Sequence, residues 1–183
     1  MTSNDTQIDI LYKEASQIAR ILAAQNETSL EVAAMEKYRK VLLLSCASWF
    51  EHRLSEAVKL LSEIQSNGHA GIKCIIRVKA VDRQFHTWFG WKELSAGPFY
   101  KLFGECGEFL KAYVQKKSEL KEGEKSFMLL GQLRNELVHQ NFAVFPLELT
   151  ADEVYSHYIK AEKYIGWLEA ELAKPEFGRT QEQ

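Results

Sequence analysis

Arg134, Asn135 and His139 lie close together in the segment Arg134-Asn-Glu-Leu-Val-His139. An imidazole can accept and donate a proton near neutral pH, and a guanidinium offers several N–H donors that stabilise the extra charge of a phosphoryl transition state. An asparagine amide can hold the imidazole ring or the phosphate. These residue types therefore suit phosphoryl transfer on RNA, where the 2′-hydroxyl is an internal nucleophile and no catalytic Ser or Cys is required.

The direction of these side chains on a helix constrains that chemistry. Apolar residues around the segment form one helical stripe, made of Phe127, Leu130, Leu133, Leu137 and Val138. Arg134 falls inside this stripe, where a guanidinium is costly unless it is paired or lines a polar cleft. Arg134 and His139 are about 7.5 Å apart along the axis, but their directions differ by about 140°. A distorted helix end or a second protomer must therefore help if both side chains act on one atom.

The elements that must position these residues are predicted to be helices. Apolar residues at helical spacing predict helices over residues 8–24, 28–66, 70–81, 97–123, 124–140 and 150–173. Capping boxes at Thr28 with Glu31 and at Thr150 with Glu153 mark two of the starts. Residues 41–50 are apolar nearly all round, which indicates a helix that is buried on more than one side or lies at a subunit interface.

The predicted fold is all-α, an antiparallel bundle of four long helices plus a short one. The aromatic residues of segment 85–91 indicate a packed connector rather than a base-stacking surface, with His86 as a packed side chain. A single domain is expected over residues 1–174, followed by a polar flexible tail over residues 175–183.

Composition excludes several classes of protein. The 183 residues carry 23 basic and 25 acidic side chains, a net charge of −2, so no global positive field indicates a nucleic-acid binder. Cys46, Cys74 and Cys106 form no C-x-x-C pair, which predicts buried free thiols in a reducing cytoplasm, with no metal site and no cofactor. The polar start of the chain is unlike a secretory signal, and no apolar run approaches the roughly 20 residues of a membrane span. We therefore expect a cytoplasmic protein without a membrane partner.

Two stretches of the sequence resemble a known family. Arg134-Asn-Glu-Leu-Val-His139 matches the R-x4-6-H signature of HEPN domains, including the polar residue that commonly follows the Arg. The motif also lies late in the bundle, just before the final helix, as it does in that family. Leu42-Leu-Leu-Ser-Cys-Ala-Ser-Trp-Phe-Glu51, in a long second helix, resembles the RiboL-PSP type of HEPN domain. The likeness extends over most of residues 8–173.

The resemblance implies a function and a set of site residues. HEPN domains of this kind form homodimers whose facing motifs make one composite site, and they cleave RNA without metal to leave a 2′,3′-cyclic phosphate and a 5′-hydroxyl. Arg134 and His139 correspond to the catalytic residues and Asn135 to the supporting polar residue. Glu51 is a further supporting candidate, because related domains often place an acidic residue on the second helix facing the cleft. The resemblance also implies a toxin or antiviral defence setting, with an antitoxin or defence-system partner.

Two other functions stay open at this point. In a non-catalytic HEPN-like interaction module, Arg134 would be paired to a carboxylate, and His139 would be a helix-end cation favoured by the helix dipole. The acidic balance of the chain favours this alternative slightly, because a non-specific RNA binder usually carries more positive charge. A bundle that binds a small molecule has only the aromatic connector in its favour. The dimer is expected independently, from the apolar segment 41–50 and from the divergence of Arg134 and His139.

Overall fold

Helices form almost all of the regular structure in the computed structural model, which describes residues 5–178. The α-helices are α1 (Gln7–Ala24), α2 (Thr28–Gln65), α3 (Ala70–Ile76), α4 (Gly97–Lys101), α5 (Glu105–Lys116), α6 (Ser118–His139) and α7 (Ala151–Leu172). A π-helical turn, Arg77–Val81, continues α3, and Phe85–Thr87 is a short 3-10 turn. Over residues 5–178 the extended pairing is limited to one bridge, between Gly90 and Ser95.

The four long helices α1, α2, α6 and α7 make the bundle. Helix α2 lies at its centre, because it packs against each of the other three. Its buried side chains include Leu42, Leu43, Cys46, Phe50 and Leu54. The all-α prediction is therefore confirmed, although three shorter helices, rather than one, accompany the long ones. Segment 41–50 is buried along one face, and Val41 and Ser48 on its other side are exposed.

The prediction of one helix over residues 97–123 and another from residue 124 is wrong. The chain forms α4, takes a left-handed conformation at Gly104 (φ 57°) that an α-helix cannot contain, and continues as α5. Helix α6 then begins at Ser118. Gly123 lies inside α6, where a Cβ atom would be 2.6 Å from the carbonyl oxygen of Lys160 and 2.8 Å from Cβ of Tyr164. This glycine therefore allows α6 to approach α7 closely and does not end a helix.

Capping boxes begin two of the long helices. At α7 the Thr150 hydroxyl accepts a hydrogen bond from the Glu153 backbone N–H at 3.2 Å, and the Glu153 carboxylate accepts one from the Thr150 N–H at 2.8 Å, as predicted. Thr6 and Asp9 form an equivalent box at α1 that was not predicted. The box predicted at Thr28 is wrong, because Thr28 is already helical and the residue before it occupies the N-cap without a side-chain bond.

The connector, which we define as residues 82–96, packs against the bundle. Trp88 and Phe89 are buried, and the Trp88 indole Nε1 donates to the carbonyl oxygen of Ala80 at 2.8 Å. The packed connector is thus confirmed. His86 is exposed, however, because the 3-10 turn directs Phe85 towards the core and His86 towards solvent. The prediction of a packed His86 is therefore wrong.

The thiols are free but not uniformly buried. Cys46 is buried in the core, Cys106 is half-buried and Cys74 is exposed on α3. The expectation of buried thiols is therefore wrong for Cys74, which lies on a short helix without a buried side chain.

The predicted tail, residues 175–183, lies outside the described residues from residue 179 onwards. Before that point, the Gln65 side-chain Nε2 donates to the carbonyl oxygen of Phe177 at 2.8 Å. Across residues 5–178, no helix combines the length and apolar character that a membrane crossing requires.

We predict that Gly123→Ala destabilises the fold by about 1–3 kcal/mol, because the added methyl group meets the α7 backbone and forces the helices apart. Gly166→Ala is the matched control within α7, since its Cβ would meet only the Arg53 guanidinium at an ordinary 3.8 Å. The control should be neutral or stabilising, by up to about 1 kcal/mol. Urea unfolding of both variants measures the difference, and equal stabilities would contradict the close approach.

Candidate functional site

A polar cleft lies between α2, α6 and the connector, and we call it the arginine cleft. Its polar lining residues are Glu51, Ser55, Arg83, His86, Arg134 and Asn135. Helix α2 supplies the first two, the connector the next two and α6 the last two. The structure therefore brings together three of the predicted site residues and adds three polar residues that were not predicted, Ser55 on α2 and Arg83 and His86 on the connector.

Arg134 is held at the cleft by two neighbours. Its Nη1 donates to Oδ1 of Asn135 at 3.0 Å, and its Nη2 donates to Oε2 of Glu51 at 3.4 Å. The Arg134 and Glu51 side chains are 34% and 40% exposed, so neither charge is buried. Leu130 and Leu137 of the apolar stripe are buried, whereas the Arg134 guanidinium between them in sequence is accommodated because it lines the polar cleft and stays partly exposed.

The connector forms the opposite wall because Trp91 packs on Gly131. A Cβ atom at Gly131 would lie 1.9 Å from Cζ3 of the Trp91 ring, so the indole covers the α6 backbone one turn before Asn135. The Trp91 indole Nε1 also donates to the backbone carbonyl of His86 at 3.2 Å. Gly131 and Trp91 thus fix the height of the connector above α6, and with it the positions of Arg83 and His86.

Arg83 and His86 reach the cleft from an irregular backbone. A π-helical turn, which is often found at functional sites, ends at Val81, and Arg83 has a left-handed conformation with φ 58°. Both side chains are exposed. No motif in the sequence indicates them. The sequence shows only that Arg83 and His86 lie beside the aromatic residues of segment 85–91. Helical periodicity does not place that segment near Arg134.

His139 lies apart from these residues. It is the last residue of α6, it is exposed, and it lines neither of the two cavities to which Arg134 and Asn135 contribute. Val138 beside it belongs to the apolar stripe but is 54% exposed, whereas Leu137 is buried. The divergence of Arg134 and His139 therefore persists in the folded chain.

The charge of the cleft differs from that of the whole chain. Two guanidinium groups, Arg83 and Arg134, face one carboxylate, Glu51, so the cleft has a net positive charge although the chain has a net charge of −2. Guanidinium forks bind phosphate oxygens well. Within the part of the chain that is described, no group of three His, Cys, Asp or Glu side chains is placed to hold a metal ion. The arrangement is suited to an anion such as a phosphodiester.

Comparison with known proteins identifies the family. The RiboL-PSP-HEPN family model matches residues 9–172. The match covers α2, α6 and α7 completely and α1 from its third residue onwards. No match was found among curated proteins or among solved structures.

We predict that Arg134→Ala changes the free energy of unfolding by at most about 1 kcal/mol, because its ion pair with Glu51 is long and exposed. Arg53→Ala is the matched control on α2. The Arg53 side chain is only 18% exposed and binds both Glu162 and Glu169, so its loss should cost about 3 kcal/mol. Denaturant unfolding measures both variants. A large loss for Arg134→Ala would indicate that this arginine serves the fold.

Proposed function

The chain belongs to the RiboL-PSP-HEPN family, and on that basis we propose that it is a metal-independent endoribonuclease that acts as a homodimer. The setting we propose is a toxin or an antiviral defence system in the cytoplasm, where an antitoxin or defence partner controls cleavage. Arg134, His139 and Asn135 are the proposed site residues, supported by Glu51.

The observation that carries this proposal is the half-exposed guanidinium of Arg134 in a cleft of positive charge. Among residues 5–178, its two hydrogen bonds use one N–H on each of Nη1 and Nη2. Arginine has five N–H donors, so three remain for phosphate oxygens. Asn135 and Glu51 also fix the plane of the guanidinium, which reduces the entropy lost when a phosphate binds.

The proposed reaction follows from these donors. The 2′-hydroxyl oxygen of the RNA attacks the phosphorus, and an imidazole removes the hydroxyl proton. Arg134 stabilises the charge that develops on the non-bridging oxygens. The P–O5′ bond breaks, and the leaving 5′-oxygen takes a proton from a second imidazole. The products are a 2′,3′-cyclic phosphate and a 5′-hydroxyl, with no water consumed.

His139 is proposed to act in a site shared between two copies of the chain. Three apolar side chains near it in sequence are exposed: Val138 at 54%, Phe142 at 39% and Val144 at 74%. Val41, which is 41% exposed, lies at the same end of the bundle, because its neighbour Lys40 donates to the carbonyl oxygen of Phe142 at 3.2 Å. A second copy that covers this apolar surface would bring two His139 side chains together and would supply both the base and the acid.

One observation favours the alternative, a non-catalytic interaction module. The ion pair between Arg134 and Glu51 satisfies part of the guanidinium, and His139 lies outside the cleft of its own chain. In that function the apolar surface around Val138 would bind a partner protein without any chemistry. The two functions differ in one measurable property, which is cleavage.

We predict that the wild-type chain cleaves RNA in the presence of EDTA and leaves 5′-hydroxyl ends that polynucleotide kinase labels without prior phosphatase treatment. Arg134→Ala should lower the cleavage rate by about 10²–10³-fold and His139→Ala by about 10²–10⁴-fold. The matched control is His69→Ala, an exposed histidine in the turn before α3. Folded variants with undiminished cleavage, or a wild-type chain that cleaves no RNA, would favour the interaction module.

We predict a dimer at micromolar concentration in sedimentation velocity. Val138→Glu or Val144→Glu should produce monomers and abolish cleavage, because a charge buried in the interface is costly. Ile75→Glu is the control: Ile75 is 65% exposed on α3, which follows the opposite end of α2. A wild-type monomer that still cleaves RNA would contradict the shared site.

A further inference from the structure

The arginine cleft has a second cationic wall besides the motif on α6. We infer that Arg83 and His86 are substrate-positioning residues that hold the RNA phosphate next to the scissile one, an inference that rests on the proposed function. It depends on one juxtaposition: the two side chains line the same cleft as Arg134 and Asn135, and they come from the connector on its far side.

Arg83 has the properties of a ligand-binding cation. It is exposed, and within residues 5–178 it forms no ion pair, whereas Arg77 on the same segment pairs with Asp82 at 3.7 Å. The positive charge of Arg134 is opposed by Glu51, so Arg83 gives the cleft its excess of positive charge. An unpaired guanidinium beside a paired one provides the stronger site for a second anion.

His86 is placed at the same wall by its backbone. Its carbonyl oxygen accepts the Trp91 indole N–H, and the Trp91 ring rests on Gly131 of α6. The imidazole itself is exposed, so it can donate a hydrogen bond to a phosphate or ribose oxygen. A nucleic-acid strand bound in the cleft would therefore be within reach of both α6, which carries the motif, and the connector, which carries these two residues.

A purely structural role does not explain Arg83. Its left-handed φ of 58° is unfavourable for a residue with a side chain, and no ion pair in the described chain compensates for it. The aromatic side chains Phe85, Trp88 and Phe89 anchor the connector without any help from Arg83. The strain does, however, direct the chain so that the guanidinium lines the cleft.

The test measures RNA affinity in the His139→Ala background, so that the strand stays intact. A fluorescein-labelled single-stranded RNA of mixed sequence is titrated at several KCl concentrations by anisotropy. Arg83→Ala should weaken binding about tenfold, and His86→Ala about fivefold. Because Arg83 neutralises one phosphate, its loss should also reduce the slope of log K against log salt by about 0.7. Arg77→Ala and His69→Ala are the matched controls and should leave both quantities near the parent values.

Cleavage kinetics give a second readout that a structural role would not reproduce. In the otherwise wild-type chain, Arg83→Ala should raise KM by about tenfold and leave kcat nearly unchanged, because the lost contact is equal in the ground and transition states. A wild-type chain that binds RNA with the Arg83-dependent salt slope but does not cleave it would support an RNA-phosphate contact by Arg83 and overturn the proposed nuclease. Cleavage with an unchanged slope and KM in Arg83→Ala would overturn the positioning role alone. No RNA binding by any variant would overturn both.

Discussion

The contact between Trp91 and Gly131 determines where the two walls of the arginine cleft stand. Any side chain at Gly131 would overlap the indole, so the connector can lie on α6 only because that residue is glycine. The contact occurs one helical turn before Arg134 and Asn135, and the Trp91 N–H bond reaches back to His86. The same helix meets α7 closely at Gly123. Helix α6 is thus fixed on two sides before the turn that carries Arg134 and Asn135.

The electrostatics of the molecule separate groups that hold the fold together from groups that are available to a ligand. Arg53 is largely buried and shares its guanidinium between Glu162 and Glu169, which ties α2 to α7. Arg134 lies on α6, has one long ion pair with Glu51 of α2, and remains partly exposed. Since a solvent-exposed pair contributes little to stability, the cost of keeping Arg134 at the cleft is small, and its donors stay accessible.

The sequence was sufficient to predict the long helices of the bundle but not the irregular segments between them. Helical periodicity and the capping box at Thr150 located the long helices, because those signals are local. The prediction that a helix stops near Gly123 is wrong, because the sequence alone does not distinguish a glycine that permits close helix packing from one that ends a helix. Arg134 and Asn135 were expected from their residue types and spacing as well as from family resemblance, whereas Glu51 was expected from the resemblance alone. Arg83 and His86 could not be predicted, because their position depends on a contact between Trp91 and Gly131, two residues that are forty positions apart in the sequence.

The separation of Arg134 from His139 links the proposed chemistry to assembly. Within one chain, the arginine faces a cleft between α2 and the connector, while His139 ends α6 among exposed apolar side chains. Within a monomer, therefore, His139 is not beside Arg134, and the imidazole that lines the same cleft is that of His86. In the dimer that we propose, a second copy would cover the apolar surface, remove Val138 from water and bring two His139 side chains together. In such an arrangement the free energy of apolar burial drives completion of the site, so any partner that occupied the same surface would inhibit cleavage without touching the cleft.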